Sequence, residues 1–423
     1  APPSWALGVW HSKAYYRDAD EVLQTARRLR ERSIPADVIT LDGRAWLDTR
    51  TRFAFTFDPV RFPDPRGFIE EIHRLGLKLC VWEYPLVSVH SPLFEELERQ
   101  GFLLMRRDGR GAYRFTWDPE PFGDVLTPLP ESGLVDFTNP DAFADWRDRH
   151  AALFELGVDL IKSDFGEQVP DDCLAYDGST GRELHNVYPL LYNRCVAEAT
   201  ARATGHGFVF GRAGWAGSQR YPGCWGGDPE AAFEALAASI RGGLSWSLSG
   251  GACHASDIGG FYGPQPSGEL YLRWLQAAVF QPLLRFHGVG ERAPFGFGEE
   301  VEAVARLWLE RRRRLAPYLT GLLGEAARTG LPPMRAMPLA FPDRPESWRF
   351  ETQYMLGADL LVAPIVRAGG EVVVYLPPGD WLADDGRRHA GPDVLRMAMP
   401  LDRFPVFLRS EPRAEPLRHL VFG

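Results

Sequence analysis

From Ala6 to Leu248, short apolar runs of strand length alternate with stretches of helical periodicity, and few folds are open to a chain written in that rhythm. The strand-like runs are Ala6–Trp10, Asp37–Leu41, Leu77–Trp82, Val158–Ile161, Phe208–Phe210 and Leu244–Leu248. Between them Ala19–Arg32, Arg66–Leu75, Asp141–Leu156 and Glu230–Arg241 carry helix patterns. Strand followed by helix, repeated, implies a parallel sheet with helical crossovers, because parallel neighbours need a long connection and a helix is the compact one. One continuous helix is predicted before Val158: Pro140 suits a first turn, Asn139 its cap, Phe143, Trp146, Leu153 and Phe154 share a face, and Gly157 ends it.

Over roughly 300 residues this unit fits an α/β fold of the (β/α)8 TIM-barrel type, for which about 250 residues plus insertions is typical. A doubly wound open sheet is the competing architecture, but no Gly-rich dinucleotide fingerprint follows the first strand. The expected division is a barrel over 1–333, with loop insertions near 84–135 and 166–186, and a C-terminal β-domain over 334–423. Helices are expected at Leu270–Phe286 and Glu300–Leu323. Past Pro332-Pro333 the runs Leu360–Ile365 and Glu371–Leu376, with Pro377-Pro378-Gly379 and Asp385-Gly386 as turns, read as a small antiparallel β-sandwich.

Charge narrows the partners. The 47 basic and 56 acidic residues are interspersed and sum to −9, which lacks the footprint of a nucleic-acid or membrane-surface binder. A neutral small molecule suits this balance better, and 13 tryptophans fit a sugar-binding cleft, since flat rings complement the C–H faces of pyranoses. No run approaches the ~18 to 20 apolar residues of a membrane span, and Ala1–Trp10 does not have the pattern of a signal peptide. Five scattered cysteines read as free thiols. A cytoplasmic protein is the expectation, with secretion through a removed leader as the alternative; homo-oligomerisation is compatible with either.

In a barrel the working residues sit where strands end. Asp42, Glu83, Lys162 with Asp164, Arg212 and Asp257 each follow an apolar run. Lys162 and Asp164 are two apart on a strand and face the same side, where the ammonium favours the charged form of the carboxylate that a nucleophile needs. A structural ion pair at the rim is the bland alternative. Tyr221-Pro222-Gly223-Cys224-Trp225-Gly226-Gly227-Asp228 delivers one carboxyl beside aromatic rings, a setting that favours a protonated acid. Read blandly, Asp228 caps a helix starting at Pro229. His287 is either a sugar contact or a satisfied core histidine. No metal-ligand spacing, Walker loop or G-x-S-x-G elbow occurs, so neither metal nor cofactor is expected.

Taken together the motifs resemble glycoside hydrolase family 31, in its α-glucosidase and α-xylosidase-like branch. Lys162-Ser163-Asp164-Phe165-Gly166-Glu167 is similar to the K-T-D-F-G-E nucleophile signature, and Arg212 with Trp225-Gly226-Gly227-Asp228 is similar to the acid/base region. Asp257-Ile258-Gly259-Gly260-Phe261 and Arg285-Phe286-His287-Gly288 match two further motifs, and further matches run in the expected order from Leu7-Gly8-Val9-Trp10 to Leu361-Val362-Ala363-Pro364. The resemblance implies a retaining α-glycosidase working by double displacement, with Asp164 as nucleophile and Asp228 as acid/base. It implies Lys162, Arg212, Asp257, His287 and Asp42 as polar sugar contacts, and Trp82, Trp225 and Trp117 as lining. Glucose, xylose or a related terminal α-linked sugar is the implied substrate.

Some positions depart from the family pattern. Ser256 stands where the family usually has His before D-I-G-G-F, and Ala54 where a second carboxylate usually sits, which opens the question of sugar specificity. The Ser256-Asp257 and Arg52/Phe55 pairs are similar to the sulfoquinovosidase branch, whereas Phe261 in place of Tyr is not. The family's N-terminal β-sandwich has no counterpart ahead of Trp10, as in a shortened or minimal member. A transglycosylase using the same residues, and a non-catalytic carbohydrate-binding barrel, are the remaining alternatives.

Overall fold

The computed structural model describes residues 2–117, 129–221 and 223–422. Nine strands form one parallel sheet: β1 (Val9–Lys13), β2 (Val38–Leu41), β3 (Lys78–Glu83), β4 (Leu160–Ser163), β5 (Phe210–Gly211), β6 (Cys224–Trp225), β7 (His254–Ala255), β8 (Asp257–Ile258) and β9 (Leu284–Phe286). Their spatial order is β7-β6-β5-β4-β3-β2-β1-β9-β8. The two ends of that order, β7 and β8, are one stretch of chain with only Ser256 between them. The sheet therefore curls back on itself as a (β/α)8 barrel with one interrupted strand. β2 and β4 are buried along their whole length, as strands are when side chains fill the barrel and helices cover it.

Where the helices depart from the sequence pattern, a local cause is visible. The helix expected over Asp141–Leu156 is two, Pro140–Arg149, capped at its start by Asn139, and Ala151–Leu156. They meet at His150, whose buried ring bonds Trp146 O at 2.8 Å and Glu83 Oε2 at 2.5 Å. Leu244–Leu248, read as a strand, is the last turn of a helix, Phe233–Leu248. Its alternation is accidental: Leu236, Ile240, Gly243, Leu244 and Ser247 are buried at helical spacing and Leu248 is exposed. That helix starts later than Glu230 because Ala231 N bonds Tyr262 O and holds the chain extended to Ala232. The helix expected over Leu270–Phe286 stops at Val279, and Leu284–Phe286 is β9. Pro282 cannot continue the helical hydrogen bonds, and the buried Arg312 caps the freed carbonyls, donating to Val279 O at 3.1 Å and Pro282 O at 2.6 Å.

The insertions after β3 and β4 are tied together. Leu86–Ser88 pairs with Ser132–Leu134, and Met105–Arg106 pairs with Cys173–Leu174 across the two insertions. Residues 118–128 of the first insertion, and Pro222 in the loop leading to Asp228, lie outside the described residues.

A 31-residue helix, Glu299–Thr329, leads out of the barrel. It is followed by a six-stranded antiparallel sheet of β10 (Met334–Ala336), β11 (Tyr354–Leu356), β12 (Leu360–Val362), β13 (Glu371–Ala383), β14 (Arg388–Ala398) and β15 (Val406–Arg409), in the order β10-β11-β12-β15-β13-β14. It has a core of its own, built on Leu361, Val374, Trp381 and Phe407. Arg273, buried on the barrel's Gly268–Val279 helix, donates to Met399 O at 2.6 Å and Arg403 O at 2.7 Å and so anchors the sheet to the barrel. Among the described residues no helix is long and apolar enough to cross a membrane. All five cysteines are free.

Candidate active site

The carboxyl ends of β2 to β5 and the loops after β6 and β8 surround an open cavity, at the face of the barrel where such sites form. Asp42, Trp82, Trp117, Lys162, Asp164, Arg212 and Asp228 line it. These residues come from distant points of the chain, and the barrel's closure is what makes them neighbours.

β4 places the centre of the site. Lys162 and Asp164 face the cavity, while Ser163 between them turns outward and donates to Asn193 Oδ1 at 2.6 Å. Asp164 is 5% exposed and meets four donors. Oδ2 accepts from Trp82 Nε1 at 2.7 Å and lies 3.3 Å from Lys162 Nζ; Oδ1 accepts from Phe165 N at 2.8 Å and lies 3.2 Å from Arg212 Nη1. Phe165 adopts φ 61°, left-handed backbone that costs a non-glycine residue ~1 to 2 kcal/mol. Strain of this kind collects at functional turns. Here it sends the Phe165 ring under the Arg212 guanidinium, 4.1 Å from the ring centre.

Arg212 links the two halves of the site. Its Nη1 is 3.2 Å from Asp164 Oδ1 and 3.6 Å from Asp228 Oδ2, and Nη2 pairs with Glu167. The two carboxyl oxygens are therefore closer than the sum of those distances. This excludes most of the ~6.5 to 9.5 Å separation of inverting glycosidases and accommodates the ~5 to 5.5 Å of retaining ones. Asp228 caps no helix, since the next begins at Phe233. A third of its side chain is open to the cavity (34%). Removal from bulk water raises its pKa above the ordinary carboxylate value; Arg212 opposes this and the charge of Asp164 adds to it.

Beneath the wall lies a denser layer of charge. Asp42 Oδ2 is 3.0 Å from Lys162 Nζ and 2.7 Å from His287 Nε2. Burial works to raise the Asp42 pKa, but Lys162, His287 and Arg285 outweigh it and hold the carboxyl well below its usual range. Burial, with help from Arg285, pushes the His287 pKa well below its ordinary value, while Asp42 opposes the shift. Asp257 is fully buried 3.5 Å from Arg285 Nε, and burial pushes its pKa up to about 7 against the pull of Arg285 and Lys162. Asp257 and His287 line the floor from below rather than the cavity surface. Both Asp257 oxygens are buried without a hydrogen-bond partner among the described residues.

Trp225 is 2% exposed, lies under Lys162 Nζ at 4.5 Å, and borders a second cavity that meets the first at Trp117, Phe165, Arg212 and Asp228. Glu83, a strand-end acid like the others, is fully buried against His150 and stays outside both cavities. Sequence reasoning overlooked Tyr15, Arg44 and Leu129 of the cavity wall and gave Phe165 no role. No periodicity reaches residues on loops or, as for Arg44, on the one-turn helix Gly43–Trp46; the only available signal was charge, at Arg44, two residues past Asp42.

Residues 1–322 match the family described as "Glycosyl hydrolases family 31 TIM-barrel domain", and 330–411 match "Glycosyl hydrolase family 31 C-terminal domain". An alpha-xylosidase of Emericella nidulans is 35% identical, over 96% of this chain and 52% of that protein. A sulfoquinovosidase of Agrobacterium fabrum is 34% identical, over 83% of this chain and 54% of that protein. A solved GH31 dextranase of Flavobacterium johnsoniae complexed with glucose superposes with a TM-score of 0.88 at 30% identity, covering 96% of this chain and 52% of that one. The chain thus spans about half the length of the curated relatives it matches.

Proposed function

The chain belongs to glycoside hydrolase family 31, and on that premise we propose that it is a retaining exo-α-glycosidase with Asp164 as nucleophile and Asp228 as general acid/base. The observation that carries this reading is the single Arg212 nitrogen standing 3.2 Å from one carboxyl and 3.6 Å from the other at the cavity wall. Asp228, with its raised pKa, gives its proton to the glycosidic oxygen as Asp164 attacks the anomeric carbon, and the alcohol leaves. Asp228, now ionised, takes a proton from water, which attacks the β-glycosyl ester and frees Asp164 together with an α-configured sugar. Lys162, Arg212 and Asp42 hold the sugar's hydroxyls, Asp257 and His287 support them from the floor, and Trp82, Trp117 and Trp225 supply flat apolar walls.

The substrate in this reading is a terminal α-linked glucose, xylose or related sugar, with transfer to a sugar acceptor in place of water as a variant of the same chemistry. Free thiols throughout fit a reducing, cytoplasmic setting. The test is a panel of aryl α-glycosides followed by NMR, with the α-anomer expected as first product. A β-anomer, or no turnover on any member, would contradict the proposal.

A second reading changes only the sugar. Arg44 and Arg52 line the cavity, neither forms an ion pair among the described residues, and Nη2 of each is buried without a hydrogen-bond partner. Arg52 is 3% exposed, and burial lowers its pKa. A buried guanidinium without a counter-charge is costly, and an acidic substituent on the sugar, such as a sulfonate, supplies one. On this reading the ratio of kcat/KM for an aryl α-sulfoquinovoside to that for the α-glucoside exceeds one and falls at least ~10-fold in Arg52→Met.

A further inference from the structure

His254 is a buried polar side chain with nothing to bond. It lies on β7, 4% exposed, and neither ring nitrogen forms a hydrogen bond among the described residues. Burial lowers its pKa to about 4, which favours the uncharged ring at neutral pH. Burying a polar group without a partner is costly, and the surroundings of such a group carry the explanation.

β6 and β7 pair in parallel with Cys224 opposite His254. Strand alternation therefore turns both side chains toward the helix Phe233–Leu248, while Trp225 turns inward under Lys162. The Nδ1 side of the His254 ring lies against that helix at Gly243, where a Cβ would come within 2.9 Å of Nδ1. The Nε2 side faces Gly226, where a Cβ would stand 3.5 Å away. Gly226 and His254 both line the second cavity, so Nε2 is the nitrogen presented to it. Trp225, Trp246 and Tyr221 supply rings to the same cavity, which meets the sugar pocket at Asp228 and Arg212.

A neutral imidazole nitrogen is a donor or an acceptor according to the tautomer. A hydroxyl suits either, because it both donates and accepts. A molecule with several hydroxyls and apolar C–H faces thus matches one unpartnered imidazole among aromatic rings. Asp228 gives the direction: the acid that protonates the departing oxygen stands on the leaving-group side, and the second cavity starts from it.

We propose that the second cavity is the leaving-group site, taking a sugar residue one of whose hydroxyls bonds His254 Nε2. This rests on the glycosidase reading above.

Two substitutions outside the sugar pocket test it. A Cβ on Gly242, one helical turn before Trp246, would meet nothing within 4 Å, so Gly242→Phe adds a ring at the cavity where a helix prefers a side chain to glycine. His254→Leu removes the nitrogens at similar bulk. Both are assayed on α-glucosyl and α-xylosyl fluoride, which leave only fluoride, and on maltose, isomaltose and 6-O-α-xylosylglucose, which leave glucose. On a disaccharide that the wild type hydrolyses, kcat/KM should fall about fivefold in His254→Leu and at least ~10-fold in Gly242→Phe, while the fluoride of the same sugar stays within about twofold. Equal loss on fluoride and disaccharide in either variant, no loss on the disaccharide, or wild-type turnover of a fluoride with none of the disaccharides overturns the proposal. If neither fluorides nor disaccharides are turned over, the glycosidase reading fails, and glucose titrated into the full chain labelled with 15N-histidine decides on the site. The His254 ring signals, identified by their loss in His254→Leu, shift if glucose occupies the cavity; unmoved signals overturn the proposal.

Discussion

Trp82 Nε1 donates to Asp164 Oδ2 at 2.7 Å, so a residue expected only to offer an apolar face to the sugar also holds the candidate nucleophile. The indole is itself fixed: the Trp46 indole donates to the Trp82 carbonyl at 3.1 Å, and Gly43 lets the ring pack against the backbone, where a Cβ would come within 2.7 Å of it. Trp82→Phe keeps the flat wall and removes the donor. It should lower kcat/KM about tenfold, the worth of one hydrogen bond to a charged group, with the fold retained by circular dichroism.

Asp228 should reveal itself through the leaving group. In Asp228→Asn, hydrolysis of an alkyl or sugar α-glycoside should fall by ~10² to 10⁴, because protonation of the departing oxygen is lost. A dinitrophenyl α-glycoside, which leaves unaided, should suffer far less in its first step. Added azide should restore turnover and give the α-glycosyl azide, since the nucleophile still acts.

The pH profile has a definite sign. Asp228 must be protonated to start the reaction and its pKa is raised, so activity should fall on the alkaline side as that proton is lost. Arg212 works against the raised value. Arg212→Met should therefore shift the alkaline limb of kcat/KM to still higher pH while lowering the rate. A shift toward acid would contradict the arrangement.

The part of this site that follows strand periodicity was legible in the sequence. Lys162 and Asp164 share a face and Ser163 does not, because a strand alternates, and the polar residues at the ends of β2, β4 and β5 pointed to the barrel mouth. Asp228 had two readings from spacing alone, and only tertiary contact at Ala231 and Tyr262 removes the helix cap. Arg44 reaches the cavity from the one-turn helix Gly43–Trp46, and Arg52 and Phe165 from loops, all too short for a periodic pattern to encode. Leu244–Leu248 misled for the opposite reason: five residues of alternation fit a strand, and only the longer stretch back to Leu236 reveals the helical period.

Asp257 links the site to stability. Its carboxyl is pushed up to about 7 in the folded state from 3.8, so the folded protein binds the proton more tightly than the unfolded chain. Stability from this group is therefore full below pH ~4 and lost as pH rises toward 7. Asp257→Asn does not titrate. Its stability relative to wild type, measured by urea unfolding, should improve between pH 4 and pH 8 by on the order of 3 kcal/mol; a constant difference across that range would contradict the shifted carboxyl.

The central claim is a covalent bond to one named oxygen. Incubation with a fluorinated α-glycosyl fluoride, which slows release of the intermediate, followed by intact mass spectrometry and peptide mapping, should show the gain of one glycosyl group carried on Asp164, and no gain in Asp164→Ala. Turnover of an α-glycoside with no adduct on Asp164, or with the label on another residue, would contradict the account.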